Sequence, residues 1–348
     1  MLALQATTPE ALVAAVPAVT LAEARKLIAA IHRGEPVAAT SAVRRVAAEA
    51  VRAAGEVPTL EVIEEAASRI DPFVKYVLAS GGARFETVRI PLEDPARFSV
   101  CVSSQVGCAL ACAFCATGRL GLERNLAAWE IVEQVRIVRS RLPHGRVHGV
   151  VFQGMGEPLA NLDAVLGAIA VMMEPCALGI DARAITVCTA GLPSGIRRLA
   201  AEAPKVRLGI SISSAIAAHR KRVMPIADRH DLDDVLAAAA DHARATGLSP
   251  MWAVTLLDGV NDGAADAQAL ADRAHAFTAA TGRTPRISLL DYNAIGDGDP
   301  LRGHLSFGRS PRMAAFRDVL TAAKLPSHRR YSGGSDVAAA CGQLVARS

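Results

Sequence analysis

Residues 100–118 read VCVSSQVGCALACAFCATG, and Cys108, Cys112 and Cys115 within this stretch have the spacing CxxxCxxC. Three thiolates can ligate three irons of a [4Fe–4S] cluster and leave the fourth iron open to a further ligand. A zinc site is the alternative, but structural zinc sites have four ligands, which commonly come in CxxC pairs. The spacing therefore predicts a [4Fe–4S] cluster, whose open iron can chelate the amino and carboxylate groups of S-adenosylmethionine (SAM).

A β-strand pattern, FSVCVSS at 98–104, leads directly into this cluster loop, and similar apolar runs recur along the chain with helical patterns between them. The later runs are VHGVVF (147–152), AITVCT (184–189), VRLGISI (206–212), PMWAVTLL (250–257) and RISLLDY (286–292). Six β/α units predict a parallel sheet curled into a partial barrel. In such barrels the catalytic residues lie at the C-terminal ends of the strands, which is where the cluster loop begins.

The segments on either side of the predicted barrel differ from it in pattern. Residues 1–72 have helical patterns, the last of which Thr59 can cap, and we expect a small accessory domain there. A β-hairpin leads into the barrel domain, which we place at residues 73–305. Residues 306–348 predict a final helix and a glycine-rich tail that carries Cys341. The predicted fold class is thus α/β: a partial (β/α)6 barrel with an N-terminal helical accessory domain and a C-terminal cysteine-bearing tail.

Composition and charge restrict the class of protein only broadly. The 348 residues are 51% hydrophobic, so a large core can be buried, and the net charge of +4 permits binding to a polyanion without requiring it. Basic clusters occur at 44–45, 219–222 and 328–330, although each is also typical of an ordinary solvated surface. The N-terminal residues lack a basic signal-peptide region, and no apolar stretch is long enough to span a bilayer, which predicts a cytoplasmic protein. In a reducing compartment, seven cysteines favour metal binding or catalysis over structural disulfides.

A second motif, Gly154-Met155-Gly156-Glu157-Pro158, follows the strand pattern VHGVVF. Its glycines allow the backbone to approach a ligand closely, and Glu157 can pair with the ammonium group of a methionine moiety. Alone, such a motif is more often an ordinary strand-to-helix turn. Because it follows the cysteine cluster by about forty residues, it predicts a SAM-binding segment that includes Gly156 and Glu157.

Four cysteines remain outside the cluster motif. A lone cysteine is usually a small buried hydrophobic residue, and we interpret Cys176 in this way. Cys101 precedes the cluster by seven residues in a strand, which places it near the reaction centre. Cys341 lies in a tail that can fold over the mouth of the barrel. Spacing alone assigns a role to neither Cys101 nor Cys341.

Three segments taken together resemble the RlmN/Cfr family of radical SAM RNA adenine methyltransferases. They are CVSSQVGCALACAFCATG (101–118), GMGEPLANL (154–162) and AACGQL (339–344), in the order and spacing of that family. The resemblance runs from about Thr20 to the C-terminus, and the N-terminal segment matches only in outline. It implies a radical SAM barrel, a [4Fe–4S] cluster, two SAM molecules per turnover, and an adenine of ribosomal RNA or transfer RNA as substrate.

The resemblance also implies roles for two of the remaining cysteines. Carbons 2 and 8 of adenine are electron-poor, so direct polar transfer of a methyl group to them is not viable. In the implied relay, Cys341 takes a methyl group from one SAM, and a radical from a second SAM removes hydrogen from that methyl group. The carbon radical adds to the adenine ring, Glu86 removes the ring proton, and Cys101 then attacks the sulfur of Cys341, which leaves a disulfide. Without the resemblance, Glu86 is an ordinary residue of a predicted strand.

Further residues are implied as SAM contacts. Asn293, in LLDYN, matches the family's asparagine after the sixth strand. Ser211, Ile212 and Ser213 stand where the family usually has Ser-Leu-His. Cys188 occupies the position of a serine that contacts the cofactor, and a thiol is a weaker hydrogen-bond donor than a hydroxyl. The fine detail of cofactor binding is therefore expected to differ from the family pattern.

Carbon 2 of a 23S ribosomal RNA adenosine is the expected target, with transfer RNA as a second substrate. Carbon 8 is the alternative, because both reactions use the same residues, and GGSD at 333–336 departs from the arginine-containing form common among carbon-2 enzymes. The stretch after Asn293 also lacks the family's proline-rich turn.

Two alternatives belong to other classes of protein. One is a zinc-stabilised RNA-binding protein. The other is an activase that forms glycyl radicals in another protein, and the pairing of Cys101 with Cys341 disfavours this activase. We also expect an electron donor such as flavodoxin, no membrane association and a monomer.

Overall fold

The computed structural model describes residues 1–295 and 306–345. Its strands, numbered in chain order, are β1 (Leu2–Ala3), β2 (Gly55–Glu56), β3 (Glu61–Ala67), β4 (Val74–Ser80), β5 (Ala83–Pro91), β6 (Arg97–Val102), β7 (Gln105–Cys108), β8 (Gly121–Asn125), β9 (Arg146–Phe152), β10 (Ile185–Thr189), β11 (Arg207–Ser211), β12 (Met251–Leu256), β13 (Arg286–Asp291) and β14 (Ser327–Arg330). Its helices are α1 (Pro9–Ala15), α2 (Leu21–His32), α3 (Arg45–Ala54), α4 (Ala128–Ser140), α5 (Leu162–Met173), α6 (Pro193–Glu202), α7 (Ala217–Val223), α8 (Leu232–Thr246), α9 (Ala264–Thr281) and α10 (Met313–Ala322).

One mixed sheet of ten strands forms the centre of the fold, in the order β14-β13-β12-β11-β10-β9-β6-β5-β4-β3. The strands from β6 to β14 in this order are parallel, whereas β3, β4 and β5 extend the sheet in antiparallel fashion. Within the described residues no pairing joins β14 to β3, so the sheet does not close. The predicted α/β fold with a partial barrel is therefore confirmed, and β14 adds a parallel strand that the sequence pattern did not indicate.

Helices cover the outside of the sheet because each crossover between parallel strands places one there. Helix α8 is an example: the Asp231 side chain accepts a 2.8 Å hydrogen bond from the Asp234 amide at its start, and Gly247 ends it in the left-handed conformation. Trp252 on β12 is fully buried and packs edge-on against Phe277 of α9, with ring centroids 5.4 Å apart. None of the helices in the described parts of the chain is long and apolar enough to cross a bilayer.

The N-terminal helices pack directly against the barrel. The short turn at Leu4–Ala6 contacts α4 and α5, and Arg136 on α4 donates a 2.8 Å hydrogen bond to the carbonyl oxygen of Ile31 on α2. Leu4 and Ile31 are each 1% exposed. This segment therefore shares one hydrophobic core with the barrel.

The prediction of a helix after Thr59 is wrong, because residues Glu61–Ala67 form β3 instead. Strand β3 pairs with β4 and has a register shift between Val62 and Glu64. Its sequence, EVIEEAA, contains good helix formers, but the unpaired edge of β4 offers backbone hydrogen bonds that override a weak local preference. The division into domains at residues 72 and 305 stays a prediction. Its boundary at 305, the chain end at 346–348 and most of the segment after Asn293 lie outside the described residues.

The C-terminal tail, residues 331–345, connects the two edges of the sheet. The tail begins directly after β14, at one edge of the sheet. At the other edge, Asp71 lies between β3 and β4 and accepts 2.8 Å hydrogen bonds from Tyr331 Oη and from the Gly334 amide. Asp336 in turn accepts a 2.7 Å hydrogen bond from Ser68 Oγ. The tail therefore crosses the opening of the partial barrel.

Candidate active site

A cavity lies at the C-terminal ends of the parallel strands, which is where ligands bind in such folds. The ends of β9 to β13 contribute Phe152, Gln153, Cys188, Thr189, Ser211, Thr255, Tyr292 and Asn293. The cluster loop, the GMGEP motif and the tail contribute Cys108, Leu110, Cys112, Phe114, Cys115, Gly154, Gly156, Glu157, Cys341, Gly342 and Leu344. The cavity thus brings together most of the predicted site residues.

The cluster loop is held from two sides. Cys108 ends β7, which pairs with β8 in a two-stranded ribbon. The amide of Ala113 donates a 2.9 Å hydrogen bond to the carbonyl oxygen of Val223 on α7, and the Cys115 amide donates one of 3.0 Å to the carbonyl oxygen of Cys112. These contacts place all three cysteines along the same cavity wall.

The number and chemistry of the three thiols match the protein ligands of a [4Fe–4S] cluster with one open iron. In residues 1–295 and 306–345, no three His, Cys, Asp or Glu side chains are grouped closely enough to hold one ion. A [4Fe–4S] cluster bonds each thiolate to a different iron, so its ligands stand farther apart than the four ligands of one zinc ion. Burial raises the pKa of Cys108 to about 12, and a thiol of this kind loses its proton only when a metal binds.

A buried guanidinium lies beside the cluster loop. Arg220, on α7, is 1% exposed, and burial lowers its pKa to about 10, an effect that the nearby Cys112 opposes. Its terminal nitrogens donate 2.8 Å hydrogen bonds to the carbonyl oxygens of Ser211 and Ala190. Among the described residues no carboxylate pairs with it, and its Nε has no partner. A buried charge without a counter-charge is costly, so this position suits an anionic group such as a cluster with its three thiolates.

The two glycines of the GMGEP motif are required by close packing. A Cβ at Gly156, whose φ is +99°, would lie 2.5 Å from Gln105 Cβ, and one at Gly154 would lie 2.7 Å from the carbonyl oxygen of Val102. Glu157 is 4% exposed, and its carboxylate accepts hydrogen bonds of 3.0 and 2.8 Å from the amides of Leu159 and Ala190. Burial raises the pKa of Glu157. Each oxygen can accept a further hydrogen bond, so binding of an ammonium group stays a prediction that this position permits.

The other predicted SAM contacts divide into two groups. Cys188, Ser211 and Asn293 line the cavity. Ile212 and Ser213 do not line it, and they are 1% and 2% exposed, respectively. Ser213 has a φ of +56°, so the chain turns sharply after β11.

Cys341 borders a second cavity, of about 480 Å³, together with Cys101. Gln153 Nε2 donates a 3.5 Å hydrogen bond to Cys341 Sγ, and Arg330 donates one of 2.6 Å to Gln153 Oε1. Burial raises the pKa of Cys101 to about 12 and also raises that of Cys341, while Arg330 opposes the change at both thiols. Both cysteines are free thiols, so the disulfide implied by the family relay is not present in this structure.

The tail holds Cys341 in place through hydrogen bonds on either side of it. Asn293 Nδ2 donates a 3.0 Å bond to the Cys341 carbonyl oxygen, and the Cys341 amide donates one of 2.7 Å to Ser332 Oγ. Two residues of the cluster loop continue the series: the Ala116 amide and Thr117 Oγ1 donate 2.7 Å bonds to the carbonyl oxygens of Gly342 and Leu344. The thiol-bearing segment is therefore joined to the cluster loop itself.

Glu86, on β5, is 1% exposed and lies outside the lining of both cavities. Its Oε1 is 3.0 Å from Lys75 Nζ, and its Oε2 accepts a 2.8 Å hydrogen bond from the Val345 amide. Burial raises the pKa of Glu86, and the charge of Lys75 partly opposes this. The tail thus separates this carboxylate from the cavity of the cluster cysteines.

Sequence reasoning missed four residues that the structure places around these groups: Lys75, Gln153, Arg220 and Arg330. Arg220 and Arg330 belong to the basic clusters at 219–222 and 328–330, which are also typical of solvated surface. The position of Gln153 directly before GMGEP was a usable signal. For Lys75 the only signal is its place in the same hairpin as Glu86.

Comparisons with known proteins identify the family of the chain. The radical SAM superfamily model matches residues 102–266. A probable RNA methyltransferase of Sorangium cellulosum is 58% identical over 346 residues, covering 94% of this chain and 88% of the relative. A dual-specificity RNA methyltransferase RlmN of Syntrophobacter fumaroxidans is 41% identical, covering 76% of this chain and 74% of the relative. The crystal structure of a radical SAM methyltransferase from Sphaerobacter thermophilus superposes with a TM-score of 0.86 and 32% identity over 99% of both chains.

The range of the superfamily match includes Cys108, Cys112 and Cys115. The superfamily implies a [4Fe–4S] cluster and SAM, for which the thiols and Arg220 provide suitable surroundings. Identity to the named relatives extends over most of the length of both chains. The chain is an enzyme and belongs to the RlmN/Cfr family of radical SAM RNA methyltransferases.

Proposed function

We propose that this protein methylates a ring carbon of adenine in RNA, with Cys341 as the carrier of the methyl group. Carbon 2 of an adenosine in 23S ribosomal RNA is the proposed target, and transfer RNA is the second substrate. Relatives named as dual-specificity RNA methyltransferases support an RNA substrate. The observation that carries the proposal is that Cys341 borders both the cavity of the cluster cysteines and the cavity that Cys101 lines.

Cys341 accepts the methyl group on its sulfur. It must lose its proton to do so, and the charge of Arg330 favours the thiolate against the effect of burial. When bound, the cluster and two molecules of SAM per turnover supply the methyl group and the 5′-deoxyadenosyl radical that removes one hydrogen from it. Cys341 then presents the carbon to the adenine ring, and the hydrogen bonds of Asn293 and Ser332 to its backbone fix its direction.

Glu86 accepts the proton that leaves the ring carbon. Its raised pKa makes it a stronger base than an exposed carboxylate, and the charge of Lys75 favours its ionised form. For this step the Val345 amide must release Glu86 Oε2, so the end of the tail moves when adenine binds. Lys75 is a positioning residue in this scheme.

Cys101 releases the product. Once the ring adduct has lost its unpaired electron, which the bound cluster would take up, the Cys101 thiolate attacks the sulfur of Cys341. The carbon–sulfur bond breaks, and the methylene carbon leaves with the bonding electrons and takes up a proton to become the methyl group. A Cys101–Cys341 disulfide remains and is reduced before the next turnover. The shared cavity supports this pairing, and Cys341 is close enough to raise the pKa of Cys101. The free thiols are the state from which a turnover begins.

The remaining parts of the proposal concern partners. An electron donor such as flavodoxin supplies the electrons, and the chain acts as a monomer. A ribosomal RNA substrate implies action in the cytoplasm. Carbon 8 of adenine is the alternative target, because the same residues serve both reactions.

Nucleoside mass spectrometry tests the proposal. Anaerobically reconstituted enzyme is incubated with SAM, a reductant and ribosomal RNA that lacks the modification. We expect 2-methyladenosine, and 8-methyladenosine would assign the alternative carbon. If 5′-deoxyadenosine forms without either product, the radical chemistry is right and the substrate is wrong.

A further inference from the structure

A third cavity, of about 950 Å³, lies beside the active-site cavity and shares Tyr292 and Asn293 with it. Its other lining residues are Asp291, Arg309, Arg329, Arg330, Tyr331, Ser332 and Ser335. No step of the proposed reaction uses Arg309, Arg329 or Tyr331, which we call the arginine–tyrosine rim. Asn293 lines both cavities, and its side chain donates a hydrogen bond to the carbonyl oxygen of Cys341. Asn293 therefore connects the third cavity with the segment that carries the thiol.

The rim carries an excess of positive charge. Arg309 donates two 3.0 Å hydrogen bonds to Asp291, and Arg329 donates bonds of 2.8 and 2.6 Å to the same carboxylate. One carboxylate therefore faces two guanidinium groups. The side chains of Arg309 and Arg329 are 59% and 49% exposed, and within the described residues the second terminal nitrogen of each has no partner. Asp291 thus orients both guanidinium groups, and the nitrogen atoms that it does not bind can donate hydrogen bonds to an anion.

Strand β14 adds positive charge beside the two arginines of the rim, whereas Asp71 and Asp336 lie beside Tyr331. Arg330 hydrogen-bonds only the neutral Gln153 among the described residues. Burial lowers the pKa of His328, and the neighbouring Arg286, Arg330 and Arg317 lower it further. Near the mouth of the barrel, an anionic ligand is therefore favoured over a neutral or cationic one.

Tyr331 adds an aromatic surface to this charge. It is 67% exposed, although large aromatic side chains are usually buried. Its hydroxyl donates a 2.8 Å hydrogen bond to Asp71, and its ring contacts Phe73 edge-on with centroids 6.0 Å apart. The ring is therefore held in one orientation before any ligand binds, and a base can stack on it without further loss of side-chain freedom.

We propose that the arginine–tyrosine rim binds the nucleotide next to the target adenosine, with its phosphate on Arg309 and Arg329 and its base stacked on Tyr331. The inference rests on the proposed function and names its RNA contact. A target base must leave its stack to reach Cys341, and its flanking backbone then stays at the mouth of the barrel. Guanidinium forks and an exposed aromatic ring are the groups that bind unstacked RNA.

Binding of RNA at several KCl concentrations tests the rim. The probes are a fluorescein-labelled single-stranded oligoadenylate and an unmodified 23S ribosomal RNA transcript, and the proteins are the reconstituted wild type, Arg309→Gln, Arg329→Gln and Tyr331→Ala. Each arginine variant is expected to reduce the slope of log Kd against log [KCl] by about 0.7–1. Tyr331→Ala is expected to weaken binding about 5- to 100-fold at constant slope, and Tyr331→Phe to retain most of it.

Kinetics separate a binding role from a merely structural one. The arginine variants are expected to raise KM for RNA while kcat at saturating RNA, iron content and RNA-independent methylation of Cys341 stay at wild-type values. Tyr331→Ala is compared with Tyr331→Phe instead of the wild type, because both variants lose the hydrogen bond to Asp71 that holds the tail and only Tyr331→Ala loses the aromatic ring. Arg197→Gln is the matched control, because Arg197 is a half-exposed arginine on α6 that pairs with Asp241 at 2.7 Å.

The possible outcomes are distinguishable. If the rim variants bind RNA with wild-type Kd and salt slope, the rim is not an RNA site, and the proposed function is unaffected. If the wild type binds RNA through the rim but forms no methylated adenosine, the rim is supported and the proposed function is wrong. A wild-type enzyme that binds neither probe contradicts both.

Discussion

The backbone amide of Val345 donates a 2.8 Å hydrogen bond to the carboxylate of Glu86, although the two residues are 259 positions apart in the chain. The other oxygen of the same carboxylate contacts Lys75 at 3.0 Å. Glu86 is thus held between a cation on β4 and the end of the tail. A base in this position becomes available to substrate only when the tail moves.

Replacing Lys75 by Met is expected to shift the pH dependence of methyl transfer. Burial raises the pKa of Glu86 and Lys75 opposes this, so removal of the cation raises the pKa further. Glu86 accepts a proton only when ionised, and the acid limb of the rate profile therefore moves to higher pH. Single-turnover rates measured against pH test this, with Lys75→Arg as the charge-retaining control. An unchanged acid limb in the Met variant would exclude Glu86 as the titrating base.

Replacing Cys341 by Ala is expected to abolish methyl transfer while the cluster remains. The thiol lines the cavity but lies outside the CxxxCxxC motif, so iron binding does not depend on it. Iron and sulfide content and the 5′-deoxyadenosine yield are measured beside the methylated nucleoside. Cys176→Ala is the control, because Cys176 is half-buried and lines neither cavity of the site. Retained turnover without Cys341 would refute the carrier role.

Replacing Cys101 by Ala is expected to trap a covalent enzyme–RNA adduct. Without the second thiol in the shared cavity, no sulfur attacks Cys341 to release the product. Denaturing gel electrophoresis followed by nuclease digestion and peptide mass spectrometry identifies the linked residue. Free RNA together with normal turnover would remove Cys101 from the mechanism.

Replacing Arg220 by Gln is expected to lower the amount of cluster bound after reconstitution. Its guanidinium is buried near Cys112 with no carboxylate partner among the described residues, and we expect it to stabilise an anionic cluster. Iron per chain and the reduction potential are measured, and the potential is expected to change because a nearby positive charge is lost. The exposed Arg222, on the same helix, provides the matched control Arg222→Gln. Wild-type iron content and potential in both variants would contradict this role.

Replacing Asp71 by Ala is expected to loosen the tail without unfolding the barrel. The carboxylate accepts hydrogen bonds from Tyr331 and Gly334, and their loss reduces the free energy of local opening by about 1–3 kcal/mol. Amide hydrogen exchange in residues 334–345 is then faster, while exchange in β9 to β12 is unchanged. Asp163→Asn, which removes a contact with Arg198 away from the tail, is the control. Equal exchange in the wild type and the Asp71 variant would mean that other contacts hold the tail.

The barrel and the cluster loop could be predicted because each leaves a local pattern in the sequence. Cysteine spacing defines the loop, and apolar runs such as VRLGISI identify buried strands that follow one another in order. Strand β14 could not be predicted, because SHRR has no apolar alternation and pairs with β13 through backbone groups and the ion pair of Arg329 with Asp291. Strand β3 was missed for a related reason, since its neighbour and not its composition decides its conformation.

The contacts around the reactive groups were beyond sequence reasoning. The pairs Gln153–Cys341 and Val345–Glu86 join segments 188 and 259 residues apart, and no local pattern records such pairs. The family resemblance supplied Glu86, Cys101 and Cys341 as candidates. It did not supply the cations Lys75 and Arg330 that lie beside them.

The tail is attached mainly through its own backbone. Its amides and carbonyl oxygens make the contacts at Gly334, Cys341, Gly342, Leu344 and Val345. Because these groups are the same for every amino acid other than proline, many substitutions in this segment leave the carrier thiol where it is. The glycines are exceptions: a Cβ at Gly333 would lie 2.4 Å from the Phe73 ring, and Gly334 and Gly342 have φ values of +73° and +87°, so these three positions restrict substitution more than the others.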